Sequence, residues 1–547
     1  MSGYEKAMVT KPSYPVTLNS SLAPNRPLNR LREILIIPMP LLRGRFEVDR
    51  DLPSARPGLR FTGFIAFAVR IGSLFTGLAF SIIVARRLKE EDFGAWAYVG
   101  RFVSYFAATA SFVNLWAARD AGRGKRPLKT ALVGSALMIT PLSLAYLAVV
   151  GFSASAIGRE NWVVMLGLMQ LPVLHLLSTA EGVAYGHRPT ASAYAFATFE
   201  GVKLLLAFLT VHVLDLGLFG VFASISLAQL VQLSVLVYLQ RDVLGDVNLG
   251  DFLRWLKGFA IPLLGFVNAL VCGLDVFLGG VLYGSALPLS YWQAALTIAV
   301  IVGYYNNLVV GLYPALLSGG GSREVEKVFR FAMMLGTPLL FGALFLGKDL
   351  LLLLRPAYAE AAPVLYVLAV SYWIGGLGTL FSSIVGGKEE VDRRVDVSFQ
   401  DYLKSKLFRY TLIALFLSAG YVTAFSVVTV MARLGGWGPV DTAYGWSYVH
   451  LGMSVAGVVI GYLFSKGRIS FKIPWKSLAG YLGASVLMVS AMYPLYAIIP
   501  SSSTAILQLV KVGILLVAGI TTYLGIVLSL DREGRVMIKL LFKRLSS

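Results

Sequence analysis

Apolar residues gather into fourteen stretches between about residues 61 and 530, each long enough to cross a bilayer, and Lys and Arg crowd into every second connection between them. The predicted spans run about 61–86, 93–117, 128–152, 161–185, 190–213, 216–239, 258–283, 288–317, 329–347, 361–385, 408–432, 442–465, 477–499 and 504–530. An even number of spans puts both ends of the chain on one side. The two tails and the alternate connections on that side hold 37 of the 48 basic residues, against 7 in the connections opposite. Positive charge stays in the cytoplasm during insertion, so the chain reads as a multi-pass protein of the cell membrane with cytoplasmic N- and C-termini.

The order of the spans predicts an organisation. After span 6 comes a longer basic connection, QRDVLGDVNLGDFLRWLKG, and the pattern then restarts: FGAWA (93–97) opens span 2 and YWQAA (291–295) stands in the same place in span 8. The expected fold is an all-α polytopic membrane protein of fourteen transmembrane helices, with two pseudo-symmetric six-helix lobes around a central cavity and a C-terminal helix pair. The parts are a basic, Pro-rich cytoplasmic tail (1–60), an N-lobe (61–240), a C-lobe (241–476) with a cytoplasmic loop at 386–409, the additional pair (477–530), and a second basic tail (531–547).

Composition agrees. Of 547 residues, 57% are hydrophobic and 14% charged, with a mean hydropathy of +0.72, too apolar for a water-soluble chain. The formal charge of +19 would suggest nucleic acid in a soluble protein. Here the cations flank apolar spans, and anionic lipid headgroups account for them without nucleic acid. The single cysteine, Cys272, lies inside a span and forms neither a disulfide within the chain nor a Cys-based metal cluster. The first 60 residues contain no long apolar run of the signal-peptide kind; residues 34–42 are short and broken by Pro38 and Pro40. A scarcity of Asn and Gln hints at a thermophile.

Four cations lie within spans: Arg70, Arg101, Lys203 and Lys511. A charge at mid-bilayer costs at least about 3 kcal/mol, so such residues face a bundle interior or a wet cavity. Arg70 is roughly 14 Å from the cytoplasmic start of span 1, and Arg101 roughly 12 Å from the outer start of span 2. They sit at similar depth on neighbouring helices, where two guanidiniums repel unless an anion or carboxylate lies between them. An anion seat is one reading; neutralisation by buried acids is the other. Candidate acids are Glu181 in span 4, Glu200 in span 5 and Asp275 in span 7. Glu200 and Lys203 are three residues apart on one helix face and are placed either to pair with each other or to serve the cavity. Lys511 is placed to snorkel, and Pro141, Pro172, Pro262, Pro314 and Pro338 are candidate kinks.

Soluble catalytic machinery is hard to find. The Gly-Lys pairs at 124–125, 347–348 and 387–388 lack the Ser or Thr of a P-loop, and neither a G-x-S-x-G elbow nor an H-E-x-x-H helix occurs. None of the four histidines has metal-ligand spacing with a carboxylate partner. The chain is predicted to be a carrier, with no cofactor beyond a coupled proton or sodium ion and no metal.

The stretch ARRLKEEDFGAWAYV (85–99), followed by LWAARDAGRGK (115–125), resembles the first two helices of polysaccharide-unit flippases in the multidrug/oligosaccharidyl-lipid/polysaccharide exporter superfamily. GLYPALL (311–317), the Arg-led span 9 (FRFAMMLGTPLLFGALFLGKDLLLLL) and RPAYAEAAPVLYVLAVSYW (355–373) are similar to the corresponding second-lobe run. The resemblance covers about 61–465. It implies a flippase that moves a polyprenyl-(di)phosphate-linked oligosaccharide or polysaccharide repeat unit from the cytoplasmic to the outer leaflet by alternating access. By that analogy Arg70 and Arg101 would hold the carrier phosphate; from the residues themselves Lys203 is a further candidate phosphate ligand, and Glu200, Asp275 or Glu181 are candidate coupling-ion or cavity acids. Partners implied are the lipid-linked glycan, membrane lipids, and glycan-assembly proteins docking on the tail or on 386–409, both larger than the family pattern. Two other classes compete: a cation-coupled exporter of drugs or small molecules, which needs acids at the cavity centre, and a membrane-bound glycan-assembly enzyme or scaffold.

Overall fold

A computed structural model describes residues 59–309, 320–387, 403–466 and 473–531, with 312, 316, 469 and 535. The N-terminal tail, Pro314 with most of GLYPALL, and most of the 386–409 loop, hence the expected docking segments, lie outside the described residues. Within them the chain is helical: α1 (Leu59–Arg87), α2 (Glu90–Ala107), α3 (Ser111–Gly122), α4 (Leu128–Ala156), α5 (Asn161–Met165), α6 (Gly167–His187), α7 (Pro189–Ala207), α8 (Gly217–Leu239), α9 (Leu249–Lys257), α10 (Ala260–Tyr283), α11 (Leu287–Val302), α12 (Asn306–Val309), α13 (Ser322–Leu354), α14 (Ala362–Gly387), α15 (Lys406–Leu434), α16 (Pro439–Ser465), α17 (Trp475–Ile498) and α18 (Ala505–Leu530). Twelve stretches among the described residues are long and apolar enough to cross a membrane, matching predicted spans 3 to 14. Predicted span 1 falls on α1 and span 2 on α2 and α3. The latter carry Glu90, Glu91, Asp92, Arg101, Arg119 and Asp120, and are broken by a 3-10 turn at Ala108–Ala110.

Local chemistry sets the boundaries. Pro189, Pro288 and Pro439 start helices where a missing N–H costs nothing, and Gly284, at φ 84°, ends α10 in the left-handed conformation. Pro141, Pro172 and Pro338 lie inside helices as expected, but Pro262 falls in the first turn of α10 and kinks nothing, because its nitrogen has no partner there to lose. The amphipathic exception is α9, in the long basic connection. It buries Phe252 and Trp255 against α3 and α4 while Leu249 and Leu253 stay exposed.

Packing separates the two ends of the bundle. At the end with few basic connections, the sparse end, one apolar cluster crosses both lobes, joining Phe93 and Tyr98 to Ala286, Leu289, Trp292 and Tyr358. At the basic end a separate cluster runs from Val113 to Trp255, taking Val243, Phe252 and Trp255 from the connection that opens the C-lobe and no buried member from α10 onward. Apolar contact between the lobes is broadest at the sparse end, and nearer the basic end Phe112 of α3 still packs on Phe266 of α10 at 4.8 Å between ring centroids. The trailing pair α17 and α18 packs on α13 and is pinned at both ends: Lys511 Nζ lies 2.9 Å from Asp349 Oδ1, and Arg330 Nη2 lies 2.9 Å from Asp531 Oδ1, which also accepts from the Tyr481 hydroxyl through its other oxygen at 2.5 Å.

Candidate functional site: an inter-lobe cavity closed at one end

The sparse end is shut by contacts that only short backbone approaches allow. A Cβ on Gly94 of α2 would collide with the Ala286 carbonyl oxygen at the start of α11, so the two pseudo-equivalent second helices meet main chain to main chain. Phe93 and Tyr291, the residues that carried the sequence repeat, both pack on the Tyr358 ring, at 5.6 and 5.7 Å. Around this contact two arginines cross between lobes. Arg86, at the end of α1, donates from Nε to Leu353 O (3.0 Å), from Nη2 to Leu352 O (3.2 Å) and from Nη1 to Ser503 O (3.1 Å). The first two are unsatisfied carbonyls at the negative end of α13, where a cation is favoured. Arg355 reaches back to the Leu88 carbonyl and pairs with Glu90 at 2.9 Å. Each lobe therefore lends one guanidinium to the other.

Towards the basic end the lobes enclose a cavity of about 750 Å3, lined by α2, the 3-10 turn, α3 and α6 on one side and by α10 and Thr411 of α15 on the other. The turn at Ala108–Ala110 redirects the helix so that Ser111, Asn114 and Arg119 face this space. Ser111 Oγ and Asn114 Oδ1 are inaccessible to water and make no hydrogen bond. Arg119 lies over the Trp116 ring, 5.2 Å from its centroid. Glu181 lines the same wall and accepts from Gln232 Nε2 at 3.1 Å.

The residues singled out in the sequence are distributed differently from one another. Arg101 is exposed on α2 towards α10: its Cδ is 3.9 Å from where a Gly273 Cβ would be, and its charge acts on Asp275. Asp275 is buried on α10 and accepts from the Tyr421 hydroxyl at 2.7 Å. Arg101 thus stands between the lobes with a carboxylate as neighbour. Arg70 is on α1, with a side chain outside the described residues. Glu200 and Lys203 face each other at 2.8 Å, buried between α7 and α1. Thr76 Oγ1 donates to the carboxylate at 2.8 Å, and the ammonium sits over Phe80 and Phe199 at 5.0 and 4.8 Å. They thus pair with each other, one of the two readings the sequence offered; like Arg101 and Asp275, neither is among the residues that line the cavity. Lys511 does not snorkel: it is 1% exposed and bound to Asp349 and to Ser501 Oγ.

Three arginines escaped the sequence reading because it placed them in connections: Arg86, Arg119 and Arg355. Arg119 had one usable signal, a Trp three residues before it on a helix that runs a turn further than predicted. His450 on α16, one of the histidines read from the sequence as structural, centres a polar group. Its Nδ1 is 2.6 Å from Ser371 Oγ, and its ring packs against Tyr372 and Tyr421 next to Asp275.

Comparison with known proteins gives neither a family model nor a curated sequence that matches. Solved structures do match. The lipid II flippase MurJ in an inward closed conformation aligns over 85% of this chain and 99% of its own at a TM-score of 0.60 and 14% identity. An inward-facing multidrug resistance MATE family transporter aligns over 74% and 98%, at 0.55 and 15%. A transporter from Pyrococcus furiosus, described as having a binding pocket of reversed polarity, aligns over 75% and 95%, at 0.51 and 15%. The protein is a multi-pass membrane protein of all-α class. Its fold is shared with these three structures.

Proposed function

We propose that this chain is a flippase for a polyprenyl-(di)phosphate-linked oligosaccharide or polysaccharide repeat unit, caught closed to the outside. The observation that carries the reading is a pair of cations between the lobes: Arg119 lines the cavity towards the basic end, and Arg101, outside that lining, stands beside α10 nearer the sealed sparse end. An anionic headgroup enters from the basic, cytoplasmic end, exchanges water for guanidinium, and leaves when the sparse end opens, while its polyprenyl tail stays in lipid. Arg70 on α1 would add a third cation. The drive comes from a proton or sodium ion at Asp275, held by Tyr421, since each elementary charge moved is worth about 2.3 kcal/mol per 100 mV.

The second reading, a cation-coupled exporter of drugs or small molecules, draws on the acids Asp275 and Glu181 beside those arginines. Proteoliposomes separate the two. The flippase reading expects protein-dependent appearance of a labelled polyprenyl-diphosphate glycan on the far leaflet, with no gradient-driven efflux of cationic dyes. Dye efflux without glycan movement would reject it.

A further inference from the structure

We propose that Arg119 and its Trp116 backing form a separate entry subsite for the phosphate of the headgroup, distinct from a deeper transit position at Arg101. This rests on the flippase reading and specifies how the same cavity is used. Of the cations around the end of α3, Arg123 and Arg126 are exposed outside the cavity lining, while Arg119, Lys125 and Arg254 are treated differently from one another. Arg254 and Lys125 both pair with the buried Asp120, at 2.7 and 3.3 Å, and Trp255 Nε1 donates to the same carboxylate at 3.1 Å. Arg119 takes no part in that cluster and, among the described residues, makes no ion pair; its guanidinium is exposed at the cavity wall. A surface arginine would be free to wander. This one lies on an indole that is itself wedged: a Cβ on Gly258, which caps α9, would stand 2.6 Å from Trp116 Cε2 and Cζ2, so backbone backs the ring. A planar, oriented guanidinium with no carboxylate on it is built for bidentate contact with phosphoryl oxygens.

The neighbours give direction to the bound group. Asn114 and Ser111 are about one and a half and two turns further in and bring polar side chains to the lining along which the sugars would pass. A phosphate at the mouth with its first sugars pointing inward is the polarity of a lipid-linked headgroup entering from the inner leaflet, its chain still among the lipids. Capture and transit then use different arginines.

The experiment measures flipping rate against the concentration of a short-chain prenyl-diphosphate N-acetylglucosamine in proteoliposomes. Arg119→Ala is expected to raise the half-saturating concentration about tenfold, as loss of a charge-assisted contact does, with less than a twofold change in the maximal rate. Gly258→Ala, which pushes the indole and with it the guanidinium, should shift half-saturation in the same direction, and Arg119→Lys should recover part of it. Arg101→Ala should instead lower the maximal rate. If the wild type flips the probe and Arg119→Ala leaves half-saturation unchanged, or lowers only the maximal rate, the entry subsite is wrong. If the wild type does not flip any prenyl-diphosphate sugar, the flippase reading itself falls.

Discussion

The crossed arginines at the sparse end should hold the closed state, and their removal should open it. Arg86 makes three hydrogen bonds, two of them to the terminal carbonyls of α13. Bonds from a charged donor are individually worth about 1.5–3 kcal/mol, and partial exposure together with replacement by water brings the net for the whole side chain to about 2 kcal/mol. The Arg355–Glu90 pair is roughly a third exposed on each side and contributes about 1 kcal/mol or less. Together, Arg86→Ala and Arg355→Ala should shift the balance between closed and open sparse ends by about 3 kcal/mol, or about a hundredfold. The assay is a spin-label distance between Lys89 and Glu360, which are exposed on opposite lobes, in a Cys272→Ala background. The wild type should give one short distance, and the double variant a second, longer population whose share grows. An unchanged distribution in a folded double variant would show that the Gly94–Ala286 contact alone sets the state and that the arginines are passengers.

Other outcomes follow from the same packing. Gly94→Ala places a methyl against the Ala286 carbonyl, and since backbone has no rotamer to yield, the spin-label distance should lengthen without any change in charge; a short distance retained would refute the close approach. Lys511→Met leaves Asp349 buried without its cation and should cost about 3–5 kcal/mol, seen as a fall in Tm, whereas replacing both Asp349 and Lys511 by Leu should recover most of it. Recovery that fails would mean that Gln508 and Ser501, which also donate to Asp349, carry the site. The pair Glu200→Gln with Lys203→Met should keep the flipping rate within about twofold, as expected for a pair outside the cavity; a loss of transport at unchanged Tm would return Lys203 to the substrate path.

Much of the architecture was legible because the bilayer imposes it. Apolar length predicted the twelve membrane-length helices among the described residues, most to within a few residues and α13 short by seven at each end, and the FGAWA and YWQAA pair, slight as sequence, marked two helices that touch across the lobes. Glu200 and Lys203 were also readable as a pair, since three residues on a helix fix their proximity. What sequence could not supply was rotation about the helix axis. Arg101 turned towards Asp275 across the lobe boundary, a relation between residues 174 positions apart that no periodicity encodes. Arg119 was hidden by the 3-10 turn at Ala108–Ala110, which prolongs the wall past the predicted end of span 2. Arg86 and Arg355 were hidden by the charge count itself, which treats every loop cation alike, although the carbonyls of another lobe's helix end decide what these two do.

The most direct test of the account is the maximal flipping rate of a polyprenyl-diphosphate glycan in proteoliposomes carrying Arg101→Ala, beside Arg101→Lys and the wild type. If a guanidinium between the lobes carries the headgroup across, Arg101→Ala should lose at least about tenfold of the rate at saturating substrate and Arg101→Lys an intermediate amount, with Tm unchanged. Equal maximal rates for all three proteins would contradict it.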